Sequence, residues 1–140
     1  MADVENMTAP KLVVLIVDDE ANIRKTLAVC VESMGCAVRT AGNGPDALAV
    51  LEREMVDLAF LDLRLGESNG LDLLPAMLAQ RPNLAVVVIT AYGSFETAVE
   101  AIKRGAVDYL PKPFSPEQIR QLVDRIQARL PVEIRLDRVR

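Results

Sequence analysis

The sequence predicts an α/β domain in which helices cover both faces of a doubly wound parallel sheet. Short apolar runs alternate five times with longer amphipathic stretches, and this order favours parallel strands joined by crossover helices. The first and fourth runs, Leu12–Val17 and Leu84–Ile89, are apolar throughout, as interior parallel strands are. We therefore expect these two strands inside the sheet.

Each remaining element has a local signal of its own. Ala21–Met34 has apolar residues at helical spacing and is followed by Gly35, which favours a helix C-terminal cap. Ser115 and Gln118 form a capping-box pattern, which predicts a last helix that runs to Leu130. The other predicted elements are the strands Cys36–Thr40, Val56–Leu61 and Ala106–Leu110 and the helices Pro45–Glu54, Leu71–Gln80 and Phe95–Arg104.

Composition excludes several classes of function. The apolar runs are too short to span a bilayer, and residues 1–10 lack the apolar segment of a signal peptide, so we expect a cytoplasmic protein with no membrane partner. The absence of histidine excludes most zinc sites and all Ser-His nucleophile pairs. With 16 basic and 20 acidic residues the net charge is -4, which predicts no direct binding to nucleic acid.

Chemically reactive side chains follow four of the predicted strands. Asp18 and Asp19 end the first strand, Asp62 the third and Thr90 the fourth, and Lys112 follows the fifth. Because the carboxyl ends of parallel strands meet at one edge of the sheet, we expect these groups to converge there.

Such a cluster is suited to phosphoryl transfer. Neighbouring carboxylates repel one another unless a positive charge intervenes, and Mg²⁺ takes carboxylate and phosphate oxygens as ligands. An aspartate can form an aspartyl phosphate, and a lysine can neutralise the phosphoryl charge. Each residue alone also has a structural interpretation: Asp18 or Asp19 as a helix cap, Asp62 as a turn residue, Thr90 as a strand former and Lys112 as a solvated charge.

Four segments resemble the receiver domain of bacterial two-component response regulators. They are VLIVDDE (14–20), FLDLRLGESNGLDLL (60–74), VVVITAYGS (86–94) and DYLPKPF (108–114). The stretch AYGSFETAVEAIKRGAVDYLPKPF is most similar to receivers of the NtrC class, and the second segment is similar to the alginate-biosynthesis regulators of that class. The resemblance implies a flavodoxin-like (βα)5 sheet of order 2-1-3-4-5 over residues 12–130, with an N-terminal tail (1–11) and the start of a linker or C-terminal tail (131–140).

This resemblance implies a site for Mg²⁺ and phosphate. Asp62 is the implied phosphoacceptor, and Asp18, Asp19, Asp62 and the backbone carbonyl of Arg64 are the implied metal site. The chain departs from the family at Gly66, where members usually have proline four residues after the phosphoacceptor. We expect this departure to loosen the loop.

The same resemblance implies a conformational switch. Lys112 would pair with the phosphoryl group, and the Lys112–Pro113 peptide bond would be cis. Thr90 would bond a phosphoryl oxygen, and Tyr109 would then turn inward. A sensor histidine kinase would supply the phosphate, and the face made by the fourth helix, fifth strand and fifth helix would control a transcription-regulatory output. That face is also a candidate for homodimerisation. Self-catalysed phosphotransfer and hydrolysis at Asp62 would be the only chemistry, so the domain would not otherwise be an enzyme.

Three other interpretations remain open from the residues. A pseudo-receiver would act by docking alone, without phosphorylation, but such proteins usually lack one of the residues that are all present here. A haloacid-dehalogenase type hydrolase needs a second aspartate two residues after its nucleophile, where this chain has Arg64. A flavodoxin binds phosphate in a loop rich in Ser, Thr and Gly after the first strand, where this chain has Asp18, Asp19 and Glu20.

Overall fold

Five strands and five helices alternate along the chain in the computed structural model, which describes residues 12–66, 68–91 and 95–129. The strands are β1 (Val13–Val17), β2 (Ala37–Ala41), β3 (Leu58–Asp62), β4 (Ala85–Thr90) and β5 (Asp108–Pro111). The helices are α1 (Ala21–Glu32), α2 (Gly44–Arg53), α3 (Gly70–Gln80), α4 (Phe95–Lys103) and α5 (Pro116–Arg129).

The sheet is parallel throughout and has the strand order β2-β1-β3-β4-β5. This confirms the predicted fold class and strand order. It also confirms that the two most apolar strands, β1 and β4, are interior. The register pairs Asp62 with Ile89 and Thr90 with Pro111, so the carboxyl ends of β3, β4 and β5 lie at the same edge.

Alternate side chains of each central strand enter two separate hydrophobic layers. In β1, Leu15 and Val17 pack in the layer formed with α2 and α3, whereas Val14 and Ile16 pack in the layer formed with α1 and α5. Burial on both faces explains why these strands are apolar at every position. It leaves the polar groups of the sheet at the strand ends, where the chain turns into helices.

Local signals fixed most boundaries. The capping box at α5 is formed as predicted: the N–H of Gln118 donates to Ser115 Oγ over 3.2 Å, and the N–H of Ser115 donates to Gln118 Oε1 over 2.8 Å. Gly35 has a φ of +90°, which suits a glycine after a helix. The third strand begins at Leu58 rather than Val56, and just before it the buried Asp57 accepts a hydrogen bond from the N–H of Val13 through Oδ2 over 2.8 Å.

The loop after β3 contains a small antiparallel ladder that the sequence did not predict. Arg64–Leu65 pairs with Ser68–Asn69, and Gly66 lies in the turn between them with a φ of +60°. Whether this loop is looser than one with proline at position 66 stays a prediction. The predicted tails and the end of the last helix at Leu130 lie outside the described residues. None of the described helices is long and apolar enough to cross a membrane.

Candidate functional site

Four carboxylates meet at the carboxyl edge of the sheet. Carboxylate oxygens of Asp18, Asp19, Glu20 and Asp62 all lie within 4.8 Å of one another. Asp18 is fully buried and Asp62 is 4% exposed, whereas Asp19 and Glu20 are exposed. The structure therefore brings together the aspartates that the sequence singled out, and adds Glu20 to them.

Backbone groups hold the two buried carboxylates in place. Asp18 Oδ1 accepts a hydrogen bond from the N–H of Glu20 over 2.8 Å, and Asp62 Oδ1 accepts one from the N–H of Arg64 over 2.9 Å. Glu20 is the N-cap residue of α1 without a side-chain cap bond, so neither Asp18 nor Asp19 is the helix cap that the structural interpretation suggested. The Asp18 side chain instead bonds to the backbone of its own loop, two residues farther along the chain.

Lys112 supplies the positive charge of the cluster. Its Nζ donates to Asp62 Oδ2 over 3.0 Å and lies 3.8 Å from Asp18 Oδ2 and 3.7 Å from Glu20 Oε1. Burial lowers the pKa of the Lys112 ammonium, but the hydrogen bond and charge of Asp62 outweigh burial and raise that pKa overall. Lys112 therefore stays protonated at neutral pH.

Asp18 is the carboxylate of the cluster whose pKa is raised. Burial, assisted by the nearby charge of Asp62, raises the pKa of the Asp18 carboxyl from 3.8 to about 6, although the N–H of Glu20 and the charge of Lys112 pull it down. Asp18 Oδ2 is buried and, within residues 12–66, 68–91 and 95–129, accepts no hydrogen bond. A buried carboxylate oxygen without a donor is an open position for a cation.

This donor set fits a hard divalent cation such as Mg²⁺. All the side-chain ligands are oxygens, at least one buried oxygen lacks a partner, and one lysine offsets only part of the charge of four carboxylates. Asp19, Glu20, Asp62 and Lys112 line a cavity of about 390 Å³ together with Arg64, Gly66 and Ala91.

Thr90 and Tyr109 lie farther from the carboxylates. Thr90 is buried at the end of β4, lines an adjoining cavity of about 350 Å³, and accepts a hydrogen bond through its backbone oxygen from the N–H of Lys112 over 2.8 Å. Tyr109, on β5, is 39% exposed. The Lys112–Pro113 peptide bond is cis, the geometry that the resemblance implied.

Three contributions to the site were not predicted from the sequence. Glu20 was visible only as the third member of the acidic run. The N–H of Gly66 donates to Asp19 Oδ2 over 2.8 Å, and Arg24 Nη1 donates to the backbone oxygen of Asp18 over 2.6 Å. Neither of these two contacts has a sequence signal, because a backbone N–H and a helix arginine are common features that gain a role only through their position.

Comparison with known proteins gives one family. The sequence profile of the response regulator receiver domain matches residues 14–124. The alginate biosynthesis transcriptional regulatory protein AlgB of Pseudomonas aeruginosa is 52% identical over 107 residues, which are 76% of this chain and 24% of that protein. The response regulator protein PilR of the same species is 43% identical over 109 residues, 78% of this chain and 24% of that protein. The chain thus spans about a quarter of the length of these relatives.

Solved structures agree with this family. The receiver domain of NtrX from Brucella abortus superposes with a TM-score of 0.81 at 39% identity, over 84% of this chain and 99% of that one. A response regulator from Burkholderia pseudomallei, solved with a phosphorylated aspartic acid, a calcium ion and citrate, gives a TM-score of 0.74 at 35% identity, over 84% of this chain and 72% of that one.

Proposed function

The chain belongs to the response regulator receiver domain family, and from this premise we propose that it is a Mg²⁺-dependent phosphorylation switch with Asp62 as phosphoacceptor. The observation that carries the proposal is the position of Asp62: its carboxylate is buried to 4% exposure, contacts Lys112 and faces an open cavity. The receiver domain would span residues 12–130, between a tail at 1–11 and the start of a linker or tail at 131–140.

Phosphorylation would form one bond and break one. A carboxylate oxygen of Asp62 attacks the phosphorus of a phosphohistidine or an acyl phosphate, and the bond from phosphorus to the donor's nitrogen or oxygen breaks, with both electrons leaving on the donor. The backbone N–H of Arg64 orients Asp62, and Lys112 moves from carboxylate to phosphoryl oxygen. Asp18, Asp19, Asp62 and the Arg64 carbonyl would hold Mg²⁺, which when bound supplies charge neutralisation for the phosphoryl oxygens.

The response would pass through Thr90 and Tyr109. The backbone oxygen of Thr90 accepts a hydrogen bond from the N–H of Lys112. A phosphate that binds both the Lys112 ammonium and the Thr90 hydroxyl would therefore move two residues that are already bonded to each other. Tyr109 is 39% exposed, so it would become more buried if its ring turned inward. The switch is an equilibrium between two conformations, which phosphate biases through contacts made in one of them.

The surface that changes would be formed by α4, β5 and α5. Phe95 (66% exposed), Val99 (37%) and Ile102 (42%) form an apolar stripe along α4, next to Tyr109 on β5. Apolar side chains at this spacing are typical of a helix that packs on a partner. We propose that phosphorylation promotes homodimerisation there, and that a sensor histidine kinase is the phosphodonor. The name of the relative AlgB, a transcriptional regulatory protein, favours control of transcription as the output.

The test is the intact mass of the protein after incubation with acetyl phosphate and Mg²⁺. The wild type should gain one phosphoryl group, Asp62→Asn should gain none, and a chelator should abolish the gain. Asp72→Asn is the matched control, because that carboxylate is exposed and its ion pair with Arg104 lies outside the cluster. A wild type that gains no mass and does not respond to beryllofluoride, a phosphoryl mimic, would favour the docking module instead.

A further inference from the structure

Asp19 differs from the other aspartates of the cluster in how it is held. Asp18 is fully buried, and Asp62 is bound by both Arg64 and Lys112. Asp19 is exposed, and among residues 12–66, 68–91 and 95–129 the only hydrogen-bond donor to its side chain is the backbone N–H of Gly66, 2.8 Å from Oδ2. An exposed aspartate without that donor would rotate freely.

We propose that Gly66 is a positioning residue for the divalent-cation site, which acts through Asp19. A carboxylate has two oxygens, and when one of them accepts a hydrogen bond from an N–H, the other points in a fixed direction and can bind a cation. Outer-sphere hydrogen bonds of this kind orient metal ligands and set metal affinity. This inference rests on the proposed function of the carboxylate cluster as the Mg²⁺ site.

The loop geometry explains why glycine is suited to this position. Gly66 lies at the turn of the ladder between Arg64–Leu65 and Ser68–Asn69, with a φ of +60°. Proline, which the family usually has here, is fixed near a φ of -65° and has no N–H to donate. A Cβ at Gly66 would lie 3.7 Å from Asp19 Oδ2, in ordinary contact, so a residue that tolerates positive φ fits without a clash.

Two substitutions distinguish the effect of losing the N–H from the effect of replacing glycine. Gly66→Pro removes the donor and the positive φ, whereas Gly66→Asn keeps the donor and is the substitution that best tolerates positive φ. We would titrate each protein with Mg²⁺ and follow binding by amide NMR shifts, with urea unfolding as the check on folding. Gly66→Pro should bind Mg²⁺ about 10-fold more weakly or worse, and Gly66→Asn should bind close to wild type.

The Gly66 amide gives a second measurement that needs no folded proline variant. Its hydrogen exchange should be protected in the wild type, with and without saturating Mg²⁺, and protection should be lost in Asp19→Ala. Loss of protection when Mg²⁺ binds would overturn the inference, as would a folded Gly66→Pro protein with wild-type or tighter Mg²⁺ affinity. A wild type that binds no Mg²⁺ would refute the proposed function itself, whereas equal binding by wild type and Gly66→Pro refutes only the role of Gly66.

Discussion

Lys112 Nζ donates a hydrogen bond of 3.0 Å to Asp62 Oδ2, and this contact joins the loop after β5 to the carboxyl end of β3. Both side chains are largely removed from water, with exposed fractions of 25% for the lysine and 5% for the aspartate. The same ammonium is also within 4 Å of Asp18 and Glu20. One cation therefore offsets the charges of three carboxylates.

Lys112→Met should destabilise the metal-free protein at pH 7. Removal of the ammonium leaves the carboxylates of Asp62 and Asp18 buried without a counter-charge, which costs about 1–3 kcal/mol. The measurement is urea unfolding, with Lys103→Met in the exposed last turn of α4 as the control. Asp62→Asn in the same chain should recover part of the loss, and a strictly additive double variant would show that the pair is not coupled.

Asp18→Asn should stabilise the metal-free protein at neutral pH but not in acid. Because burial raises the Asp18 pKa from 3.8 to about 6, folding favours the protonated carboxyl. The contribution of this group to stability is therefore fully present below pH 3.8 and is lost as the pH rises through about 6. The asparagine, which carries no charge, should gain up to about 3 kcal/mol above pH 6 relative to wild type and almost nothing near pH 3.8. Urea unfolding in a chelator across this range measures the difference, and a pH-independent difference would contradict the assignment.

Gly70→Ala should displace α3 from the carboxyl end of β3. A Cβ at Gly70 would lie 2.6 Å from the backbone oxygen of Asp62 and 2.7 Å from Leu63 Cα, and backbone atoms cannot yield as a flexible side chain can. We expect a loss of about 1–3 kcal/mol, despite the higher helix propensity of alanine. Gly44→Ala, at the corresponding place in α2, is the control, since its Cβ would meet only the Leu73 side chain at 3.3 Å. Equal stability of the two variants would argue against the close approach.

Ser115→Ala should weaken the start of α5. The Ser115 hydroxyl accepts the hydrogen bond from the N–H of Gln118, and an N-terminal cap of this kind contributes about 1 kcal/mol. Thermal unfolding should show the loss, whereas Ser33→Ala, which removes an exposed bond to the Cys30 carbonyl, should have little effect. A larger effect at Ser33 than at Ser115 would be the contrary result.

The parallel sheet made most of the site predictable from sequence. Asp18, Asp62, Thr90 and Lys112 each follow a strand that is recognisable from its apolar run, and parallel strands place their carboxyl ends together. The prediction therefore needed only the strand boundaries, and an error of one or two residues did not move any of these side chains to another edge.

Contacts between distant backbone and side-chain atoms could not be predicted. Asp57 binds the N–H of Val13, 44 residues away, and Asp19 binds the N–H of Gly66, 47 residues away. Because every residue except proline has a backbone N–H, the sequence does not indicate which N–H will be the donor. Asp57 illustrates the difference: it is one of five buried or clustered acids, yet it lies at the opposite end of β3 and stabilises the sheet there.

The distribution of the site along the chain has a consequence for biosynthesis. The acidic residues Asp18, Glu20 and Asp62 leave the ribosome well before Lys112, whose ammonium lies within 4 Å of all three. A nascent chain that ends before β5 thus has the carboxylates but neither their counter-charge nor the edge strand that carries Tyr109. The carboxylate cluster would therefore be complete only late, when the last strand joins the sheet.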